Sequence, residues 1–456
     1  MNAIDFTVSH PVPQAAEAGT RRAAAPWGFP EVFVISQTAL PALLYLPGTQ
    51  SFRVTLRFSA FAISLGAYVW WLTQSGVRPQ GSRTESWVLA VMAVLGLSLF
   101  NPATTSLVGG LAHAMVYFAV MSPLFWAPSM VRTPEHLARL LGLVLICSGV
   151  NSIVGVLQVY DPGRWMPAEL SRIITGAGGT GPITYVGNNG QVIIRPPGLF
   201  DTPGAVAGPG MFAALLGAIF GLSAIPLWQR AGAFAMSAAG IAAIYLSQVR
   251  VSLVVTVFMC GMYAFTLMTQ KRVAKATTFG LLVGGLVTAA FIGAVTLGGK
   301  SITDRFMTLL GNDPYETYHH ARGVQLDYTF TDMLYQYPLG AGLGRWGVAG
   351  AYFGTPGSTS LWAEIQITGW MIDGGVVMIF LYSGAIIVAA LSQFRLARRT
   401  DYPRVAACAA VIFAANLGIA VMVISFTPFV TQIGIQYWFL AGALHGVASN
   451  YKLQDA

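Results

Sequence analysis

Residues 361–391, LWAEIQITGWMIDGGVVMIFLYSGAIIVAAL, join a polar segment to an apolar run that begins near Ile367. The run is long enough for a helix that crosses ~30 Å of hydrocarbon, which takes ~20 residues. Similar runs recur along the chain with short polar breaks, whereas the alternating pattern of a membrane β-barrel is absent from the sequence. The sequence therefore predicts an all-α fold, a polytopic membrane helical bundle.

The composition supports a membrane protein. Of the 456 residues, 55% are hydrophobic and only 9% are charged, which is typical of a multi-span helical protein. The net charge of +8 is explained by arginines in loops that face the cytoplasm and anionic lipid, so we expect no nucleic-acid partner. Cys147, Cys260 and Cys408 each lie within an apolar run, which predicts small buried side chains rather than disulfides or metal ligands.

Twelve transmembrane helices are predicted, with both ends of the chain on the same side. Nine lie within residues 29–298 and three within 367–448, and a long polar stretch at 160–203 interrupts the first nine. A second polar stretch, 299–366, precedes the last three. The predicted spans are about 29–47, 58–73, 87–102, 107–126, 138–159, 204–226, 231–249, 251–269, 276–298, 367–391, 404–425 and 430–448.

The distribution of basic residues predicts the orientation. With the N-terminus inside, the short outer loops hold only Arg53, Arg57 and Arg250, whereas most lysines and arginines lie in the inner segments. Both long polar stretches then face outward. Residues 1–28, rich in Ala, Pro and Gly, are expected to form a disordered cytoplasmic tail, and residues 449–456 a second tail.

Some local structure is predicted inside the long stretches. Residues 176–190 are rich in Gly, Thr and Asn and favour an irregular loop. A helix that begins at Pro314 is expected to lie at the membrane surface and to end near Tyr337. Residues 340–344, GAGLG, follow Tyr-Pro rather than a strand. They therefore predict a turn that lets backbone pack closely, rather than a nucleotide-binding loop.

Three arginines lie on the outer side at the mouths of apolar spans, namely Arg195, Arg250 and Arg322. An arginine at this depth is costly unless it is paired or binds an anion. Each alone could instead be a loop arginine that contacts lipid phosphate. Together they predict an anionic ligand at the outer membrane surface. Guanidinium groups bind phosphate oxygens bidentately, so a lipid-linked pyrophosphate would fit well.

Glu364 is the candidate general base, because it lies at the edge of an apolar span. The alternative is an ordinary interfacial acid that is paired with an arginine. His319 and His320 are candidate substrate-binding residues. Because neighbouring residues of a helix point in different directions, the two histidines do not favour a metal site, and we expect neither a metal nor a cofactor.

Several motifs, taken in chain order, resemble those of the bacterial O-antigen ligase and O-antigen polymerase superfamily. They are Arg195-Pro-Pro-Gly198-Leu-Phe200, Arg250-Val-Ser252, Arg322, Tyr337-Pro-Leu-Gly340-Ala-Gly342-Leu-Gly344 and Asp373-Gly-Gly375. The resemblance implies an inner-membrane glycosyltransferase that transfers a glycan from undecaprenyl pyrophosphate to a sugar acceptor at the periplasmic face, without a metal or a nucleotide sugar. It also implies that Arg195, Arg250 and Arg322 bind the pyrophosphate and stabilise it as leaving group.

One departure from the superfamily bears on the reaction. Its ligases carry a histidine base close to the place of Glu364, and this chain has no histidine between His320 and His445. The departure favours a polymerase of the O-antigen or exopolysaccharide kind, with Glu364 as base and a chain-length regulator protein as a further partner. The alternative is a ligase that acts on lipid A core. A transporter of lipid-linked glycans is less favoured, because the spans are nearly free of charge and show no internal repeat.

Overall fold

The computed structural model describes residues 27–46, 48–74, 81–166, 184–186, 192–298, 316, 318–355 and 361–453. Most of these residues are helical. The expected disordered tail at 1–28 lies almost wholly outside the described residues, and so do the expected helix start at Pro314 and the last three residues of the second tail.

Each of the twelve predicted spans overlaps a helix in the described part of the chain. In chain order these helices are α1 Phe29–Ala42, α2 Arg53–Thr73, α3 Arg83–Ser98, α4 Leu107–Met121, α5 Pro134–Tyr160, α6 Ala207–Gly221, α7 Leu227–Ser247, α8 Arg250–Thr269, α9 Val273–Gly298, α10 Gln366–Ala397, α11 Pro403–Val421 and α12 Gln432–Asn450.

Seven helical segments of the described chain are long and apolar enough to cross a membrane. They are Leu107–Met130, Pro134–Tyr160, Leu227–Ser247, Arg250–Thr269, Val273–Gly293, Gln366–Ala397 and Pro403–Ile424. Two shorter apolar helices, Phe29–Tyr45 and Ala207–Gly221, accompany them. These helices make the chain a multi-pass membrane protein, and the predicted all-helical bundle is confirmed.

Short elements join the long helices. They are the 3-10 turns Leu43–Tyr45, Thr49–Phe52, Met422–Ile424 and Pro428–Val430, and the short helices Pro123–Met130, Pro162–Trp165 and Gly347–Phe353. Two three-residue strands, β1 Thr184–Val186 and β2 Val192–Ile194, pair antiparallel with Thr184 opposite Ile194. The predicted irregular loop is therefore wrong at β1, because β-branched and aromatic residues suit a strand.

The helix predicted before Pro338 is present, and we call its described part the 318–336 segment. It alternates π-helical and α-helical turns, namely His319–Gly323, Val324–Tyr328, Thr329–Met333 and Leu334–Gln336. It ends before Pro338, as predicted, because proline cannot supply the next helical N–H. π-helical turns are rare and are frequent at functional sites.

Several predicted spans differ from the helices that the structure shows, and two of the differences have a clear physical reason. α3 begins four residues before the predicted span at 87, because the Ser82 hydroxyl caps it by accepting the Glu85 N–H at 3.1 Å. α10, predicted as one continuous helix, is broken at Gly374 and Gly375, where Gly375 adopts φ +66° and ψ −155°.

The helices pack through aromatic rings and close glycine contacts. Trp370 stacks on Tyr382 with ring centroids 4.6 Å apart, and both are fully buried. Between α6 and α7, a Cβ on Gly240 would lie 2.6 Å from Gly210 O, so only glycine permits this approach. All three cysteines are free; Cys260 and Cys408 are buried, as predicted, whereas Cys147 is only partly buried.

Short turns join most successive helices, which therefore run in opposite directions and give the bundle two ends. At the end that we call inner, Arg404 Nη1 donates to Glu135 Oε1 at 2.9 Å. Glu31, at the start of α1, forms a buried ion pair there with Arg139 of α5. The opposite end is called the outer end.

Candidate functional site

The predicted site residues lie at the outer end of the bundle. The last turn of α8 meets the end of α10 at the inner end, where Gln270 Nε2 donates to Ala397 O at 2.6 Å. Arg250, the first residue of α8, is therefore at the outer end. The 318–336 segment lies there as well, because Tyr318 OH donates to Ile424 O, just beyond the end of α11, at 2.9 Å.

The structure brings Arg195 next to the junction that carries Arg250. A Cβ on Gly204 would lie 3.3 Å from Arg195 Nη2. The same position is 3.0 Å from Val249 Cγ2 and 3.5 Å from Ser247 O. The Arg195 guanidinium thus lies beside the residues that directly precede Arg250, which is 55 residues further along the sequence. We call this neighbourhood the α7–α8 junction site.

The turn that follows Arg195 is fixed onto α5 by side-chain amides. Gln158 Oε1 accepts the Gly198 N–H at 2.9 Å, and Gln158 Nε2 donates to Gly198 O at 2.8 Å. Leu199 N–H donates to Asn151 Oδ1 at 3.2 Å. Gly198 has φ +66°, and a Cβ there would lie 2.0 Å from Asn151 Oδ1, so this position requires glycine.

Asp201 links the same turn to α2, a contact that the sequence reasoning missed. Arg57 Nε donates to Asp201 Oδ2 at 2.8 Å, and its Nη2 donates to Oδ1 at 2.6 Å. Arg53 Nε lies 3.6 Å from Oδ2. Arg53 and Arg57 had been assigned only a role in orientation. Their spacing of one helical turn and the acid beside the Arg195 motif were the available signals.

Arg322 and Glu364 form the second group of predicted site residues. Their side chains make an ion pair, with Arg322 37% and Glu364 29% exposed. Burial lowers the pKa of Arg322 below its usual value, and the guanidinium still stays charged at neutral pH. Of the two interpretations of Glu364, the pairing with an arginine is thus observed, and a role as base remains a prediction.

Two contacts hold this pair in place. Glu364 N–H donates to Gln325 Oε1 at 2.9 Å, and the buried Thr329 and Thr368 hydroxyls lie 2.6 Å apart. Both contacts join the 318–336 segment to the start of α10. The position of Arg322 relative to Glu364 is therefore set by packing and does not depend on the ion pair alone.

The two histidine side chains point in different directions, as predicted for neighbouring residues of a helix. His319 Nε2 lies 2.8 Å from Asp327 Oδ2, whereas His320 is exposed. Their ring planes are inclined at 77°. In the described part of the chain, no group of three His, Cys, Asp or Glu side chains could hold a metal ion.

The predicted close packing of the GAGLG turn is confirmed. Gly340, Gly342 and Gly344 have φ of +94°, +98° and +76°, which disfavour any side chain. A Cβ on Gly342 would lie 2.7 Å from the Thr104 backbone, and one on Gly344 would lie 2.4 Å from Gly109 C. The turn therefore seats against the loop between α3 and α4 and against the start of α4.

The turn also completes the broken helix α10. Ala341 N–H donates to Ile372 O at 2.7 Å, and Val376 N–H donates to Pro338 O at 3.0 Å. These bonds satisfy backbone groups that the break in α10 releases.

Asp373, next to the break, is the centre of a buried cluster that the sequence reasoning did not foresee. The cluster comprises Asp373, His113, Tyr117 and Trp346. The fully buried carboxylate accepts from Trp346 Nε1 at 2.9 Å and from Tyr117 OH at 2.8 Å, and His113 Nε2 lies 3.1 Å away. An acid inside an apolar span was the available signal.

The chemistry of the outer end follows from these groups. The α7–α8 junction site offers guanidinium groups suited to phosphate oxygens. The Arg322–Glu364 pair places a carboxylate at the same end of the bundle, where it can accept a proton.

The chain was compared with known proteins, and it matches no family model and no curated sequence.

Proposed function

We propose that the protein is a glycosyltransferase that polymerises glycan repeat units carried on undecaprenyl pyrophosphate. The observation that supports it best is the meeting of Arg195 with the Arg250 junction at the end of a membrane bundle where the Arg322–Glu364 pair also lies. A ligand with a pyrophosphate and a membrane-embedded tail matches both the charge and the place.

In this proposal the twelve helices α1–α12 are twelve membrane spans, and the outer end faces the periplasm from the bacterial inner membrane. The stretches 160–203 and 299–366 are then the two periplasmic loops. Of the lysines and arginines in short connections, few lie at the outer end, which agrees with this orientation.

The donor pyrophosphate would bind to Arg195 and Arg250, with Arg322 as a third cation. A hydroxyl of the acceptor sugar gives its proton to the Glu364 carboxylate while its oxygen attacks the anomeric carbon of the donor glycan. The bond between that carbon and the pyrophosphate oxygen breaks. Undecaprenyl pyrophosphate leaves with the electron pair, and the guanidinium groups stabilise its developing charge.

The Arg322–Glu364 ion pair has a role in this sequence of events. A pyrophosphate carries more charge than a carboxylate and competes for the Arg322 guanidinium. Donor binding would thus weaken the hold of Arg322 on Glu364 and leave the carboxylate available as base. His319 and His320, on the same π-helical turn as Arg322, would contact the glycan.

The test is a turnover assay with purified protein and an undecaprenyl-pyrophosphate-linked repeat unit as both donor and acceptor. We expect a ladder of longer lipid-linked glycans from the wild type. Glu364→Gln should lower kcat about 100-fold or more, because a general base supplies ~10²–10⁴ in rate. Glu135→Gln, an acid at the inner end that also pairs with an arginine, is the matched control and should retain kcat.

Other outcomes would assign a different function. Transfer that appears only when lipid A core is added would make the protein a ligase.

A transporter is the second candidate, because a discontinuous helix with a buried acid is typical of transporters. The break in α10 lies eight residues after its start at Gln366, however, and so nearer the outer end than the middle of the helix. Lipid translocation in proteoliposomes without formation of a glycosidic bond would support a transporter.

A further inference from the structure

Gln248, at the α7–α8 junction, combines two unfavourable features. Its backbone is left-handed, with φ 58° and ψ 21°, a conformation that costs a residue with a side chain ~1–2 kcal/mol. Its side chain is buried, with the residue only 2% exposed. Among the described residues, neither Nε2 nor Oε1 of its amide has a hydrogen-bond partner.

A buried amide without partners is rare in native proteins, and it costs ~1–3 kcal/mol. Strained backbone and unpaired polar groups persist mainly where function requires them. Both features coincide at Gln248, two residues before Arg250. The adjoining Ser247 O and Val249 Cγ2 border the same position beside Gly204 as the Arg195 guanidinium.

We infer that Gln248 is a substrate-binding residue that recognises the first sugar of the donor, the one attached to the pyrophosphate. This inference rests on the proposed function. Phosphate oxygens only accept hydrogen bonds, so they could satisfy Nε2 but not Oε1. A sugar carries neighbouring donors and acceptors in its hydroxyl or acetamido groups, which satisfy both ends of the amide.

The location of Gln248 agrees with a contact to the sugar, while the arginines bind the pyrophosphate. In the proposed function Arg195 and Arg250 hold the pyrophosphate, and the sugar is covalently linked to it. Gln248, whose neighbours Ser247 and Val249 lie beside the Arg195 guanidinium, is therefore placed close to the sugar. Recognition by a buried amide discriminates well, because a ligand that lacks the matching groups leaves the amide unpaired.

The test compares binding of two lipids to the purified protein in detergent. The probes are undecaprenyl pyrophosphate and the same lipid that carries one N-acetylated sugar. Gln248→Met has a similar shape but no N–H donor and only a weak sulfur acceptor. Gln248→Asn keeps the amide, tolerates the left-handed conformation well and is one methylene shorter. We expect both variants to bind the sugar-bearing lipid about 10-fold more weakly, the value of one hydrogen bond. Binding of the bare pyrophosphate should be unchanged.

A matched control exists at the other end of the bundle. Gln393 of α10 is 3% exposed, and its amide also has no partner among the described residues, but its backbone is helical and it lines a small cavity with Ser82, Thr84 and His445. Gln393→Met should leave the affinity for both lipids unchanged.

Three results would overturn the inference while leaving the proposed function intact. The first is an equal loss of affinity for both lipids in the Gln248 variants, which would mean that Gln248 only shapes the junction. The second is no change for either lipid, which would mean that a bound water satisfies the amide. The third is a change in Gln393→Met that equals the change in Gln248→Met. If the wild type binds neither lipid, the proposed function itself fails.

Discussion

Asp373 and Gln248 are both buried polar groups near the outer end of the bundle, and their hydrogen bonding differs completely. Asp373 has three partners, His113 and Tyr117 of α4 and Trp346 after the GAGLG turn. Gln248 has no side-chain partner within the described chain. Since a fully satisfied network rigidifies a structure, the Asp373 cluster is a scaffold. The α7–α8 junction site is left incomplete, as a ligand-binding region would be.

The backbones of the two regions differ in the same way. Around Asp373 the left-handed positions are glycines, such as Gly342 and Gly375, which adopt this conformation with little penalty. At the α7–α8 junction the residue with a left-handed backbone is Gln248. Strain is therefore stored where we propose that the substrate binds, and it is absent where the scaffold is built.

The largest expected effect is on the scaffold. Asp373→Ala leaves Trp346, Tyr117 and His113 without their shared acceptor. We expect the free energy of unfolding, measured by SDS titration in mixed micelles, to fall by about 3–5 kcal/mol, as when one partner of a buried charged network is removed. Gln248→Ala, at the other region, should not lower it by more than about 1 kcal/mol. Equal losses in the two variants would contradict the distinction.

The next effect concerns activity. Arg250→Ala removes a cation from the pyrophosphate, and we expect kcat/KM for polymer formation to fall at least about 100-fold, as for loss of a transition-state hydrogen-bond donor. The unfolding free energy should stay within about 1 kcal/mol of the wild type. Arg404→Ala, which removes an arginine at the inner end that is 38% exposed, is the control. Normal polymer from Arg250→Ala would show that this arginine serves topology alone.

The sequence predicted the parts of the fold that depend on composition. Runs of apolar residues located the seven described helical segments that are long and apolar enough to cross a membrane, since burial in lipid requires an apolar stretch of a given length. The close packing of residues 340–344 was also predictable, because only glycine allows backbone contact at this distance. The break in α10 was not predicted, because its two glycines are common in membrane helices and the break depends on a turn that lies 30 residues earlier.

The candidate site was predictable only in its charged residues. Arg195, Arg250, Arg322 and Glu364 stand out because charge is rare in this chain. Their grouping was not predictable, because it depends on which helix ends meet. Gln248 carries no sequence signal at all, since a glutamine beside a loop is ordinary until its conformation and burial are known.

The smallest expected effect compares single hydrogen bonds in the two regions. Tyr117 OH donates to Asp373 and accepts from Gln366 Nε2 at 3.2 Å, so Tyr117→Phe leaves one buried donor unpaired and should cost about 1–2 kcal/mol of unfolding free energy. Gln248→Asn removes no protein hydrogen bond and favours the left-handed backbone, so it should cost nothing and add up to about 0.5 kcal/mol. A loss in Gln248→Asn as large as that in Tyr117→Phe would mean that the glutamine, too, belongs to the scaffold. If Tyr117→Phe instead lowers the unfolding free energy and Gln248→Asn raises it, the Asp373 cluster is complete without a ligand and the α7–α8 junction site is not.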